Sequence, residues 1–248
     1  MSTVSPLHRI NYPGQSHLKN MASQPIVLSL ATPSELLSYI ISYHQYPTTI
    51  LIGSTKTEFQ QSLVEDITHH LTLQDKDPRI ASPSHPFLTA SLYQIAISRH
   101  IRIIFAPTVT HLRAQLSVFT PKDSPVLAPP NHDPSTGAPV LLVYGLLALH
   151  RDASEWSAQG IGNTAALLVD SASRNAFRAV VIEPKGIGGH DDIEHLGGEM
   201  VPLLNGTARR DDGSWSGRGV SARQVMSRWF EFEDRKNAVT RDASRGSD

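Results

Sequence analysis

The chain has 248 residues, 40% of them hydrophobic and 18% charged, and a formal net charge of −1. It contains no cysteine, which excludes disulfides, thiol catalysis and cysteine-ligated zinc or iron–sulfur centres. The near-neutral balance excludes a surface that is basic all over, so any contact with nucleic acid needs a local patch, and no apolar run approaches the ~20 residues that cross a bilayer.

Residues 1–24 carry no acid and no hydrophobic h-region, and read as a polar, disordered tail rather than a secretory signal. A single domain is expected over 25–233, with a second polar tail over 234–248. Pro25 to Leu30 is a short apolar strand. Thr32-Pro33-Ser34-Glu35 then writes a helix start: Thr32 as N-cap, Pro33 in the first helical position and Glu35 as the capping-box acid. Thr48 to Gly53 is a β-branched strand that turns through Ser54-Thr55-Lys56-Thr57 into a helix with Phe59, Leu63, Ile67 and Leu71 on one face. A polar loop over 75–86 precedes a helix over 87–100, with Leu88, Leu92, Ile95 and Ala96 expected to face inward. Ile101 to Pro107 is a strand, and Thr108 caps a helix carrying Leu112, Leu116 and Phe119.

Residues 120–138 contain five prolines and read as a surface loop. Then comes the clearest unit in the chain: an apolar strand over Val140 to Tyr144, a helix of about twenty residues ending near Asn175, and a second apolar strand over Ala179 to Pro184. Lys185 to Glu199 is a Gly-rich, acidic loop, Val201 to Asn205 a short strand, and Arg209 to Gly219 a connector suited to a hairpin. Ser221 caps a last helix, expected to carry Val225, Trp229 and Phe232 on one face. Alternation of strands and helices predicts an α/β fold with a mostly parallel central sheet and helices on both faces.

Two segments bear on nucleotide chemistry. A phosphate-binding loop needs glycine-rich backbone ahead of a Lys-Ser/Thr pair, because backbone N–H groups wrap the phosphates, the lysine reaches them and the hydroxyl holds magnesium. Lys56-Thr57 stands in that place after a buried strand, but the loop before it is only Gly53-Ser54-Thr55. The magnesium-holding acid should end a second apolar strand. Tyr144 ends that strand, and Gly145 follows. Gly53, Lys56, Thr57 and Tyr144 therefore form a degenerate nucleotide site, with no working cofactor expected.

The order of these elements, together with Val140-Leu141-Leu142-Val143-Tyr144-Gly145-Leu146-Leu147-Ala148-Leu149-His150-Arg151, resembles the core of RecA-type recombinases, roughly over 48–205. The resemblance implies a diverged, ATPase-deficient paralogue with a RecA-like core. Such paralogues serve as subunits of Shu-type recombination mediators, with other RecA-like subunits as partners, in the nucleus; others form the RecA-like ring of Elongator, in tRNA modification. It also sets Ser157-Ala158-Gln159-Gly160 and Lys185 near DNA-facing loops. Trp215 to Gln224 is similar to recombinase text but stands too late in the chain for that role.

Arg209, Arg210, Arg218, Arg223 and Arg228 with Trp215 make a basic, aromatic-bearing patch suited to single-stranded DNA, through phosphate contacts and stacking; a solvated hairpin is the other reading. His190 and His195 enclose three carboxylates, ligand types that suit a metal, without a distant residue to complete the set, so no metal site is expected. Gly186-Ile187-Gly188-Gly189 lacks the spacing of a dinucleotide loop, and no serine sits in a Gly-x-Ser-x-Gly elbow. A nucleotide-binding enzyme with a short phosphate loop is the remaining reading from a different class.

Overall fold

The computed structural model describes residues 24–42, 46–75, 89–123, 127–129, 138–151, 153–185, 197–204 and 218–233. Six strands form one all-parallel sheet: β1 (Ile26–Ala31), β2 (Thr48–Ile52), β3 (Ile101–Phe105), β4 (Val140–Tyr144), β5 (Arg178–Pro184) and β8 (Glu231–Glu233). Their spatial order is β3-β2-β4-β5-β1-β8. A small antiparallel pair, β6 (Met200–Pro202) with β7 (Gly219–Ser221), stands apart, in keeping with the expected hairpin connector. The arrangement is an α/β fold of the kind expected from the sequence, consistent with a RecA-like core.

Helices cover both faces. On one lie α1 (Pro33–Ser42), α2 (Lys56–Asp75) and the short α3 (Leu92–Ser98). This side of the core joins Leu36, Ile40 and Phe59 of the helices to Leu28, Ile50, Ile52, Leu142 and Ile182 of the sheet. On the opposite face lie α4 (Val109–Val118), α6 (Ala158–Arg174) and α7 (Ala222–Met226), where Leu116, Ile161, Leu168 and Met226 meet Val143, Val181 and Phe230. Each fully buried branched side chain contributes about 2 kcal/mol. The division follows from chain direction: β1→β2→β3 steps one way along the sheet and β3→β4→β5→β8 the other, and right-handed crossovers put the two sets of helices on opposite faces.

Local chemistry sets most helix starts. Thr32 caps α1: its Oγ1 accepts from Glu35 N at 3.4 Å, and its own N–H donates to Glu35 Oε2 at 3.2 Å. Thr108 Oγ1 accepts from His111 N, Ser157 Oγ from Gly160 N and Ser221 Oγ from Gln224 N. In α6, Ile161, Thr164, Ala165, Leu168, Ser171 and Ala172 are buried at helical spacing, so one stripe meets the sheet.

Three expectations need correction. Leu92, Ile95 and Ala96 do not face inward: α3 buries none of its residues, and Leu92 is 85% exposed. Seven residues make only two turns, with little reach across the sheet. The last helix does not reach Phe232. It ends at Met226, and Phe232 lies in β8, paired with Val27 of β1. The deeply buried residues there are Ala222, Met226 and Phe230, while Val225, Trp229 and Phe232 are only partly buried. Finally, a separate helix, α5 (Leu146–Arg151), stands between β4 and the long α6.

One buried acid had no signal in the apolar pattern. Asp66 of α2 accepts from Ser34 N of α1 at 2.9 Å and lies 3.4 Å from His70. Burial pushes its carboxyl up, but the hydrogen bonds from Ser34 and Thr32 and the nearby His70 outweigh that and hold it below the usual value. Replacing Asp66 with Ala leaves the Ser34 N–H without its partner in a buried place. Urea unfolding should show a loss of about 1–3 kcal/mol, and an unchanged midpoint would refute the role.

Candidate functional site

Adjacent strands whose onward connections leave in opposite directions open a crevice at their C-terminal ends, where ligands bind in open α/β sheets. In this sheet β2 and β4 are such a pair: β2 leads outward to β3, and β4 leads the other way to β5. A cleft of about 420 Å³ opens there and extends to the ends of β5 and β1. Pro33, Phe59, Ala148 and Pro184 form apolar parts of its wall, with Ser54, Ser62, Glu58, Glu65 and Lys185 as polar members.

Two of the four expected nucleotide-site residues meet here. Gly53 N donates to Tyr144 O at 2.8 Å, and both residues line the cleft. A Cβ on Gly53 would stand 2.8 Å from Gly145 O and 3.2 Å from Tyr144 O, so only glycine allows this approach. Gly145 takes φ +84°, which turns the chain out of β4 and into α5. Lys56 and Thr57 open α2, are exposed, and do not line the cleft. Lys185 does line it, just past the end of β5.

Four backbone donors at or beside the crevice, those of Gly53, Thr55, Gly145 and Lys185, are engaged within the chain. Gly53 N is held by Tyr144 O, Gly145 N by Ile182 O at 2.9 Å, and Lys185 N by Ala31 O at 3.0 Å. Thr55 caps α2 in a second capping box: its N–H donates to Glu58 Oε2 at 2.8 Å, and Glu58 N donates to Thr55 Oγ1 at 3.2 Å. The bonds from Thr55 hold the Glu58 carboxyl below its usual value. An anion brought to this helix start would meet a carboxylate, and a phosphate cradle is built from N–H groups that are free to point at it.

Tyr144, which ends the strand where an acid would be needed, is buried. Its hydroxyl donates to Ala31 O at 2.9 Å, and its ring meets Phe59 edge to face, with centroids 6.0 Å apart. Sequence reasoning missed Glu183. It is buried near the end of β5 and accepts from Leu147 N at 2.7 Å and Ala148 N at 3.2 Å, capping α5. Burial pushes its carboxyl up to about 7, against the pull of these N–H groups and of Arg151. The signal was visible as an acid in an apolar strand, Val180-Val181-Ile182-Glu183.

His150 was missed too. It is buried, with Nδ1 2.8 Å from Leu146 O and Nε2 2.9 Å from Thr164 Oγ1. Arg113 Nε donates to Thr164 Oγ1 at 2.9 Å, and the same guanidinium donates to Gly160 O and pairs with Glu155. Burial lowers the His150 pKa; the Leu146 carbonyl opposes this and the Arg113 charge reinforces it. A neutral ring suits the pattern: Nδ1–H donates to Leu146 O, and Nε2 accepts from the Thr164 hydroxyl.

Arg218 is exposed just before β7, while the Arg223 guanidinium lies over the Phe232 ring, 4.4 Å from its centroid. Lys185 belongs to the crevice. Arg209, Arg210 and Trp215 lie outside the described residues, as do His190, His195, Gly186 to Gly189, Leu88 and residues 234–248. Among the described residues no group of three or more His, Asp or Glu is placed to hold a metal ion. No helix of the described residues is long and apolar enough to cross a membrane.

Two outcomes follow from this geometry. Gly53→Ala forces backbone to move, and should lower stability by about 1–3 kcal/mol in urea unfolding; a neutral change would mean the strand ends yield. The second concerns pH. The folded Glu183 pKa stands above its ordinary value, so the fold keeps a proton that the unfolded chain loses, and stability falls as pH rises from 4.5 to about 7. His150 acts in the opposite sense: its folded pKa is below 6.5, so stability falls as pH drops through 6.5. Glu183→Gln should remove the first trend, worth roughly 3 kcal/mol over its window, and leave stability rising with pH. An unchanged pH profile would refute the buried-acid account. No family model matches the chain, and no curated protein matches it.

Proposed function

We propose that this protein is a non-catalytic, RecA-like subunit of a nuclear complex in homologous recombination and DNA repair, assisting a recombinase on single-stranded DNA. Its partners are other RecA-like subunits in a hetero-oligomer. The observation that carries the reading is the strand-end crevice, where the backbone N–H groups of Gly53, Thr55, Gly145 and Lys185 are already bonded within the chain. Glu58 places negative charge at the start of α2, and Tyr144 holds the acid's place with its hydroxyl turned to Ala31. These features favour a retained scaffold over a nucleotide engine.

The test begins with affinity purification of the full chain from its own cells and identification of the bound proteins. RecA-like subunits and a recombinase should co-purify, and loss of the chain should lower recombination. Recovery of tRNA-modification subunits, with recombination intact, would sink the reading. Millimolar ATP should leave the thermal midpoint unmoved; ATP binding that Lys56→Ala abolishes would replace the proposal with a nucleotide-binding enzyme.

A further inference from the structure

A second cleft, of about 390 Å³, lies on the other face of the sheet, between α6, α7 with its following turn, and the β6–β7 pair. Gln159 and Asn163 stand one turn apart on α6, and Gln224, Arg228 and Trp229 face them from the α7 side. Gly162 leaves the α6 wall open, since a Cβ there would meet only Val225 Cγ1, at 3.9 Å. Gln159 N donates to Leu203 O at 3.0 Å, which ties the first turn of α6 to the end of β6 and fixes one rim. Leu203 N in turn donates to Arg218 O at 3.1 Å, so a second arginine stands beside that rim.

The polar groups here contrast with those of the strand-end crevice. Among the described residues no carboxylate lines this groove, whereas Glu58 and Glu65 line the other together with Lys185. The Asn163 and Gln224 amides and the Arg228 guanidinium have no side-chain hydrogen bond or ion pair among the described residues. The Trp229 ring packs partly on the core and partly lines the groove. An aromatic face, two amides with both donor and acceptor atoms, and a cation at the rim are the groups that hold an unstacked base and its phosphate.

We infer that this groove receives an unstacked base of single-stranded DNA, with Trp229 as the stacking face, Asn163 and Gln224 on the base edge and Arg228 on the phosphate. The inference deepens the proposed role on single-stranded DNA and rests on it. A cation without a lining acid among the described residues favours a polyanion over a protein segment.

The test is fluorescence anisotropy of a fluorescein-labelled oligothymidylate with the full chain. Trp229→Ala should weaken binding about ten-fold or more, while Trp229→Phe, which keeps a ring, retains most of it. Arg228→Gln should weaken binding of all sequences alike and reduce the salt slope by about one. Thermal melts of each variant separate lost binding from lost fold. If the wild-type chain binds but Trp229→Ala and the Asn163→Ala/Gln224→Ala pair bind equally well, DNA is held elsewhere; the groove assignment falls while the recombination reading stands. If the wild-type chain does not bind and Trp229→Ala instead loses co-purifying subunits, the groove docks protein and the assignment is overturned. Failure of the recombination reading has its own signature, the absence of recombination partners and of a recombination defect.

Discussion

A tyrosine hydroxyl bridges two strands that are not neighbours. Tyr144 ends β4, β1 lies beyond β5, and the Tyr144 hydroxyl crosses to Ala31 O at the end of β1. Lys185 N uses the same carbonyl, so both lone pairs of Ala31 O are occupied. Gly53 N joins β2 to the set through Tyr144 O. Four strand ends are thus tied by a few bonds at the wall of the crevice. An acid in place of Tyr144 would lack this reach and would bring a charge into an apolar layer beside Phe59 and Ile182.

The other face is held differently. There a polar chain runs from Arg113 through Thr164 to His150 and on to Leu146 O, inside a layer otherwise built largely of aliphatic side chains. Such a chain is stable only if its members are satisfied, and here each of these groups has a partner. Glu183 adds to the same network of buried polar bonds by capping α5. The two buried titratable groups lean in opposite directions with pH, so their effects on the fold partly offset each other just below 6.5.

Strand positions were legible because each central strand is a short apolar run bounded by turn residues, and a parallel sheet buried on both faces demands that. Caps were legible at Thr32, Thr108 and Ser221, because a hydroxyl ahead of a periodic segment has a direct local use. The α3 orientation was not: periodicity reports which face is apolar, and α3 has an apolar face with little to pack on. The β8 strand was hidden for a related reason. Three residues, Glu231-Phe232-Glu233, carry no usable period, and only the neighbouring β1 edge makes them a strand. Of the site, the meeting of Gly53 with Tyr144 could be anticipated from strand–turn order, and Glu183 stood out as an acid in an apolar strand, but its partners and those of His150 depend on contacts that the apolar pattern does not report.

The two clefts differ in what they leave unsatisfied. At the strand ends, the N–H groups of Gly53, Gly145 and Lys185 are spent on neighbouring carbonyls, and two glutamates stand against the one cation of Lys185. In the α6–α7 groove, an arginine and two amides stand without partners among the described residues, and no acid there offsets them. The carboxylates thus outnumber the cation at the place where this class of sheet ordinarily binds an anion, whereas the groove on the opposite face has a cation and no lining carboxylate among the described residues. If a chain of this fold is to meet a polyanion, the physical chemistry puts the contact on the groove and leaves the crevice to hold the strands together.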